Sequence, residues 1–197
     1  DIVSLKKSYP NTVLTIGNYD GVHLGHQKIL SMVGKKAEEI NGTSMVMTFD
    51  PHPVKVIAPE KNVKLLTTPE EKARLIAKMG IDVLLFITFT KEFSQIAPDD
   101  FISELLVKKL NIKEVIVGAN YSFGKSKKGN IDLLLKRGRE FGFHATAVQD
   151  VMLHGNIVSS SSRIAPRMIN WNASCTPSAS SSESITCSTS APAIVPQ

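Results

Sequence analysis

A run of ten residues, Gly17-Asn18-Tyr19-Asp20-Gly21-Val22-His23-Leu24-Gly25-His26, combines the residue types that handle phosphate. A glycine-bearing turn leading from a strand into a helix presents unpaired backbone N–H groups and the positive end of the helix dipole, so an anion is the natural guest. Gly17 and Gly21 open backbone conformations closed to other residues, and Gly25 permits close approach of a ligand to the main chain. His23 and His26 stand three apart at the expected helix start, so both rings can face one ligand and, as donors, stabilise negative charge growing on a phosphate oxygen. A single histidine near a helix start is more often a satisfied structural residue; the pair inside a glycine-rich turn is what points to phosphate. The spacing matches neither the Gly-x-x-x-x-Gly-Lys-Ser/Thr loop nor the Gly-x-Gly-x-x-Gly fingerprint, which argues against P-loop NTP hydrolysis and against hydride transfer.

Such a turn needs a strand before it and a helix after it. Thr12 to Ile16 reads as a short, buried, β-branched strand, and Leu24 to Ile40 has helical periodicity. Ser44 to Phe49 reads as a second strand, ended by Asp50-Pro51-His52-Pro53, whose two prolines are expected to exclude helix and central strand and to open a long loop. Thr68-Pro69-Glu70-Glu71 holds an N-cap, a first-turn proline and a capping-box glutamate, predicting a helix to about Met79 that stops at Gly80. Further strands are predicted at Val83 to Phe89, Val115 to Val117 and His144 to Val148. Helices are predicted from Pro98, with Phe101, Ile102, Leu105 and Leu106 on one face, and over Ile131 to Phe141. Strands and helices alternating in this way predict an α/β fold with a mainly parallel sheet covered on both faces. Ligands of such sheets sit at the carboxyl ends of strands, where Gly17, Asp50 and Gly118 fall.

With 197 residues and 42% hydrophobic content, the chain suits one substantial core. No segment approaches the roughly 18 consecutive apolar residues of a membrane span, and none has the form of a secretory signal, so no membrane partner and a cytoplasmic location are expected. The net charge of +5 is spread among acids rather than gathered in a track for nucleic acid. The densest basic stretch, Lys125-Ser126-Lys127-Lys128, suits a phosphorylated small ligand, and an ordinary solvated loop accounts for it equally well. Cys175 and Cys187 support neither a disulfide framework nor a thiolate metal site.

The ten-residue run resembles the signature of the prokaryotic bifunctional riboflavin kinase/FMN adenylyltransferases (FAD synthetases), within the nucleotidyltransferase superfamily that shares a His-x-Gly-His core. Met47-Thr48-Phe49-Asp50-Pro51-His52-Pro53 is similar to the family's second motif, and Val117-Gly118-Ala119-Asn120-Tyr121-Ser122-Phe123-Gly124-Lys125 to its third. Ser160-Ser161-Ser162-Arg163-Ile164 resembles its Ser-Ser-Thr-Arg-Ile segment. The resemblance implies a Rossmann-like nucleotidyltransferase fold over residues 1–164 and transfer of AMP from ATP to FMN, giving FAD and pyrophosphate with Mg²⁺. It implies that His23, His26, Ser161 and Arg163 are catalytic. It implies ATP contacts from Gly17, Asn18, Tyr19, Asp20, Gly21, His23, Gly25, His26, Gly118 and Ser160 through Arg163. The flavin would lie against Phe49, Asp50, Pro51, His52, Pro53, Asn120 and Phe123; a rigid turn at Pro51 to Pro53, and a core place for Phe123, are the plain alternatives. A serine-rich stretch such as Ser160 to Ser162 is by itself more often a loop. The metal ligands are not legible, since Mg²⁺ keeps waters and leans on substrate phosphates.

This sequence departs from the family at Tyr19, where Phe is more usual, and at Ala119 and Ser122, where longer polar side chains are common. The resemblance stops after Ile164: Ala165-Pro166 stand where another Arg is expected, and residues 165–197 are rich in Ser, Thr, Ala and Pro. That tail is expected to be disordered, with no riboflavin kinase domain, and a shift of reading frame is the expected cause. An uninterrupted native gene encoding the same tail would refute the frame shift. Two other readings stay open: adenylyl transfer to a different phosphorylated acceptor, and a weakened nucleotide- or flavin-binding module.

Overall fold

The computed structural model describes residues 9–149 and the backbone of 152–153, 156–157 and 193–195. Strands β1 (Thr12–Ile16), β2 (Ser44–Asp50), β3 (Val83–Thr88), β4 (Ile112–Gly118) and β5 (His144–Val148) pair in parallel. Helices α1 (Leu24–Glu39), α3 (Pro69–Ala77) and α6 (Ile131–Phe141) separate most of them, with short α2 (Pro53–Ile57) and α4 (Lys91–Ser94) between. Helix α5 opens at Pro98–Asp100 and continues as a π-helix over Phe101–Lys109. Two-residue strands β6 (Met152–Leu153) and β7 (Asn156–Ile157) form an antiparallel pair. This is the α/β architecture with a parallel sheet that the alternation predicts, and no helix among the described residues is long and apolar enough to cross a membrane.

Successive residues of each strand enter different cores, as the two-residue period of a strand requires. Leu14, Ile16, Met45, Met47 and Leu85 pack on one face with Phe101, Ile102, Leu105 and Leu106 of α5. Val13, Val46, Leu84 and Ile116 pack on the other with Leu30, Val33 and Ala37 of α1 and Ile76 of α3. With β8 at Ala193–Val195, the strand order is β5-β4-β1-β2-β3-β8. The chain therefore builds outward from β1 through β2 and β3, then crosses to the far side of β1 for β4 and β5. The order reverses between β1 and β4, and an open parallel sheet has its ligand crevice at the carboxyl side of that reversal. The ends of β1 and β4 place Gly17 and Gly118 there.

The structure corrects three expectations. Pro53 does not exclude a helix: it occupies the first turn of α2, where its missing N–H would have had no partner anyway. Strand β4 starts at Ile112, three residues before the expected start, because Ile112 pairs with Thr12 across a register shift. In the tail expected to be irregular, Ala193–Val195 forms β8 parallel to β3, an apolar triplet satisfying the outer edge of that strand.

Candidate active site

Gly17 donates its N–H to Met47 O at 3.1 Å, the last ladder bond before the chain leaves the sheet. Tyr19, Gly21 and Val22 then take φ of 50°, 72° and 40°, all left-handed. Valine resists this region, and strain of about 1–3 kcal/mol per such residue persists only where the surroundings enforce it. Burial enforces it here, with Tyr19 and Val22 2% and 4% exposed. A Cβ at Gly17 would lie 3.0 Å from Cε2 of the Tyr19 ring, so any larger residue would press on that buried ring. The Tyr19 hydroxyl shares a 2.6 Å hydrogen bond with Thr15 Oγ1. That bond braces the turn against β1 from below.

His23 is the N-cap residue of α1 and His26 lies in its first turn. Their rings stack with centroids 3.7 Å apart and planes at 22°, and Tyr19 packs on His26 at 4.9 Å. The Nδ1 atoms of both histidines are buried and make no hydrogen bond among the described residues. Buried polar atoms are rarely left unpaired, so two side by side at a helix start set this turn apart from the rest of the described residues. Burial pushes the His26 pKa down to about 3, helped by the neighbouring His23 and Lys72. Burial also lowers His23, against the pull of Asp20. Both rings are thus neutral at pH 7, and each has one N–H to donate.

A depressed histidine gives stability a definite pH dependence. Between the ordinary value of 6.5 and about 3, the unfolded chain binds a proton at His26 that the folded chain refuses. That contribution is complete above pH 6.5 and is lost as pH falls, by at most about 1.4 kcal/mol per pH unit. Thermal unfolding of the wild type should therefore weaken from pH 6.5 to about 5 more steeply than that of His26→Gln. Parallel profiles would show that His26 is not buried as a neutral ring.

Asp20 is 7% exposed and acts electrostatically on His23, His52 and Lys72. Its carboxylate accepts from Leu66 N at 2.9 and 3.0 Å, Thr67 N at 3.0 Å and Thr67 Oγ1 at 3.1 Å, while Gly21 N donates to Thr67 Oγ1 at 3.2 Å. Asp20 was expected among the ATP contacts; these bonds occupy it, and it ties the turn to the segment leading into α3. That segment ends in a complete capping box, with Thr68 and Glu71 bonding each other's backbone N–H groups. Helix α3 then brings Lys72 to the turn. Lys72, Thr48 and Gln27, whose Nε2 donates to Val22 O at 3.0 Å, were not singled out in the sequence.

Asn18 adjoins Tyr19 in the turn and accepts from Thr48 Oγ1 at 3.1 Å through its carbonyl. Gly25 is half-buried in the first turn of α1, and Gly118 ends β4. Beside them, Asp50 ends β2 and accepts from Phe89 N at 3.1 Å. His52 Nδ1 accepts from Val54 N at 3.2 Å, capping α2 ahead of Pro53. Burial lowers the His52 pKa, and the ring feels both Asp20 and Lys72, so this segment borders the turn. Phe49 meets Phe89 at 5.5 Å and Phe93 at 6.0 Å; Phe93 meets Phe101, Phe101 meets Phe123, and Phe123 stacks on Tyr121 at 5.6 Å. An aromatic wall thus runs from the end of β2 to the loop after β4. Phe123 is 7% exposed and sits in the core, the plainer of its two readings, whereas Asn120 and Pro51 are exposed. Ser160, Ser161, Ser162 and Arg163, with Cys175 and Cys187, lie outside the described residues.

Residues 5–162 match the family model described as FAD synthetase. The chain is 37% identical over 163 residues to a bifunctional riboflavin kinase/FMN adenylyltransferase of Buchnera aphidicola, covering 83% of this chain and 52% of that one. It is 40% identical over 148 residues to the Escherichia coli K12 protein of that name, covering 75% and 47%. The chain spans about half the length of the curated relatives it matches. A crystal structure titled as a macrolide-efflux protein from Streptococcus pneumoniae shares the fold, with TM-score 0.71 and 24% identity over 81% of this chain and 51% of that one.

Proposed function

The chain belongs to the FAD synthetase family, and on that premise we propose that it transfers the adenylyl group of ATP to FMN. An oxygen of the FMN phosphate attacks the α-phosphorus of ATP in line, the bond from that phosphorus to the bridging oxygen breaks, and FAD and pyrophosphate form. No covalent enzyme intermediate is needed, so the residues act by positioning and by stabilising charge. The observation that carries this reading is the stacked His23–His26 pair, with its two unpartnered buried Nδ1 atoms at the start of α1. Those rings and the first-turn N–H groups would take the phosphates, with Gly17, Asn18, Gly21, Gly25 and Gly118 leaving room. Phe49 to Pro53, with the half-buried Phe89, Phe93 and Tyr121 of the aromatic wall, would take the flavin, since an apolar surface with a few fixed polar groups suits an isoalloxazine ring. Ser160, Ser161, Ser162 and Arg163 keep the phosphate role that their resemblance to the family motif implies.

Mg²⁺ would enter with the nucleotide and neutralise part of the triphosphate charge. Among the described residues no group of three His, Cys, Asp or Glu is set to hold a metal. Mg²⁺ characteristically leans on substrate phosphates and keeps several waters. The test is incubation with ATP, Mg²⁺ and FMN followed by separation of flavins: FAD and pyrophosphate are expected in equal amounts. Riboflavin is the control, because it lacks the attacking phosphate and should give no dinucleotide. Adenylylation of another phosphorylated acceptor, with FMN untouched, would refute the assignment of FMN.

A further inference from the structure

Lysine is almost never fully buried unless it is paired, yet Lys72 is 6% exposed. It lies on the face of α3 that carries buried Ile76 one turn later, and α3 packs against the Asp20–Val22 turn. Its Nζ donates to Thr48 Oγ1 at 3.3 Å, and Thr48 Oγ1 donates in turn to Asn18 O at 3.1 Å. An ammonium has three protons to donate, and that is its hydrogen bond among the described residues. None of the ion pairs among those residues includes it. Burial lowers the Lys72 pKa, and Asp20 and Asp50 pull against that, but Asp20 spends its oxygens on Leu66 and Thr67. A buried charge without a close counter-ion is unfavourable, and an arriving anion relieves that.

The neighbouring histidines sharpen the need. His23 and His26 offer hydrogen bonds but, being neutral, no net charge to a polyanionic nucleotide. A positive charge close to the turn has to come from another element, and α3 delivers one. We propose that Lys72 is the phosphate-binding cation of this site, its ammonium taking a phosphate oxygen of ATP beside the His23–His26 stack. The inference rests on the reading of the turn as the ATP site. The Thr48 and Asn18 bonds hold the ammonium at the turn, and Asp20 fixes the segment that leads into its helix.

Calorimetric titration of the wild type, Lys72→Met and Lys72→Arg with ATP, inorganic tripolyphosphate and adenosine tests it. Methionine keeps the apolar stem and removes the charge. The Met variant should lose about tenfold to a hundredfold in affinity for ATP and tripolyphosphate, keep its affinity for adenosine, and be largely rescued by arginine. Unchanged tripolyphosphate affinity in Lys72→Met, or an equal loss for adenosine, would overturn the proposal. If the Met variant does not fold, the ¹⁵Nζ resonance of Lys72 in the wild type, assigned by its absence from Lys72→Arg, decides. Movement on adding tripolyphosphate supports the role, and a stationary signal refutes it. A wild type that binds tripolyphosphate through Lys72 yet makes no FAD would sink the FMN assignment alone.

Discussion

Replacing His26 by alanine should lower turnover of ATP and FMN by about a hundredfold to a thousandfold, the effect of removing one donor aimed at developing phosphate charge. The loss should fall on kcat more than on the KM for ATP, because the donor bond strengthens as charge gathers in the transition state. The fold should survive, since His26 makes no hydrogen bond through its buried Nδ1. Removing the ring also leaves one face of His23 and of Tyr19 uncovered, so part of the effect comes through their placement. A His26→Asn variant, which restores an N–H donor without the ring, separates the two contributions. Steady-state kinetics on purified protein checks this, and near-normal turnover in His26→Ala would strike His26 from the catalytic residues.

Asp20→Ala should destabilise the protein by about 2–4 kcal/mol, the range for charge-assisted hydrogen bonds whose buried donors are left unpaired. The donors stranded are Leu66 N and Thr67 N, and Thr67 Oγ1 loses its acceptor. The same change frees the segment before α3, so the KM for ATP should rise as Lys72 loses its fixed position. Urea unfolding measures the first effect as a lower midpoint, and kinetics measures the second. Asn should recover part of both, having one carbonyl oxygen in place of two. If Asp20→Ala keeps wild-type stability, the clamp between the turn and residues 66–67 does not hold.

The elements were legible where local signals are strong. The β-branched apolar run of β1, the capping box of α3 and the period of α5 and α6 each encode their structure over a few residues, and all four elements stand at those positions, α5 with a π-helical course over Phe101–Lys109. The His pair was legible for the same reason, being three residues apart in one turn. What escaped was non-local. Asp20 meets its partners 46 and 47 residues away, and nothing in the turn announces that its carboxylate is spoken for. The Tyr19 hydroxyl bonds a strand residue beneath it, visible once β1 and the turn are folded on each other. Lys72 sits in Pro69-Glu70-Glu71-Lys72-Ala73-Arg74, which reads as a solvated helix surface. A signal was present, since Lys72 and Ile76 are four apart and share one helical face. Helix α2 is hidden because a proline reads as a breaker in a helix interior yet is tolerated in the first turn, where Pro53 stands.

The most direct test of the whole account is a crystal structure of the chain with a non-hydrolysable ATP analogue. The triphosphate should lie at the crevice between β1 and β4, within hydrogen-bond reach of His23, His26 and the first-turn N–H groups of α1, with the Lys72 ammonium on one of its oxygens. Density for the triphosphate at any other edge of the sheet would contradict it.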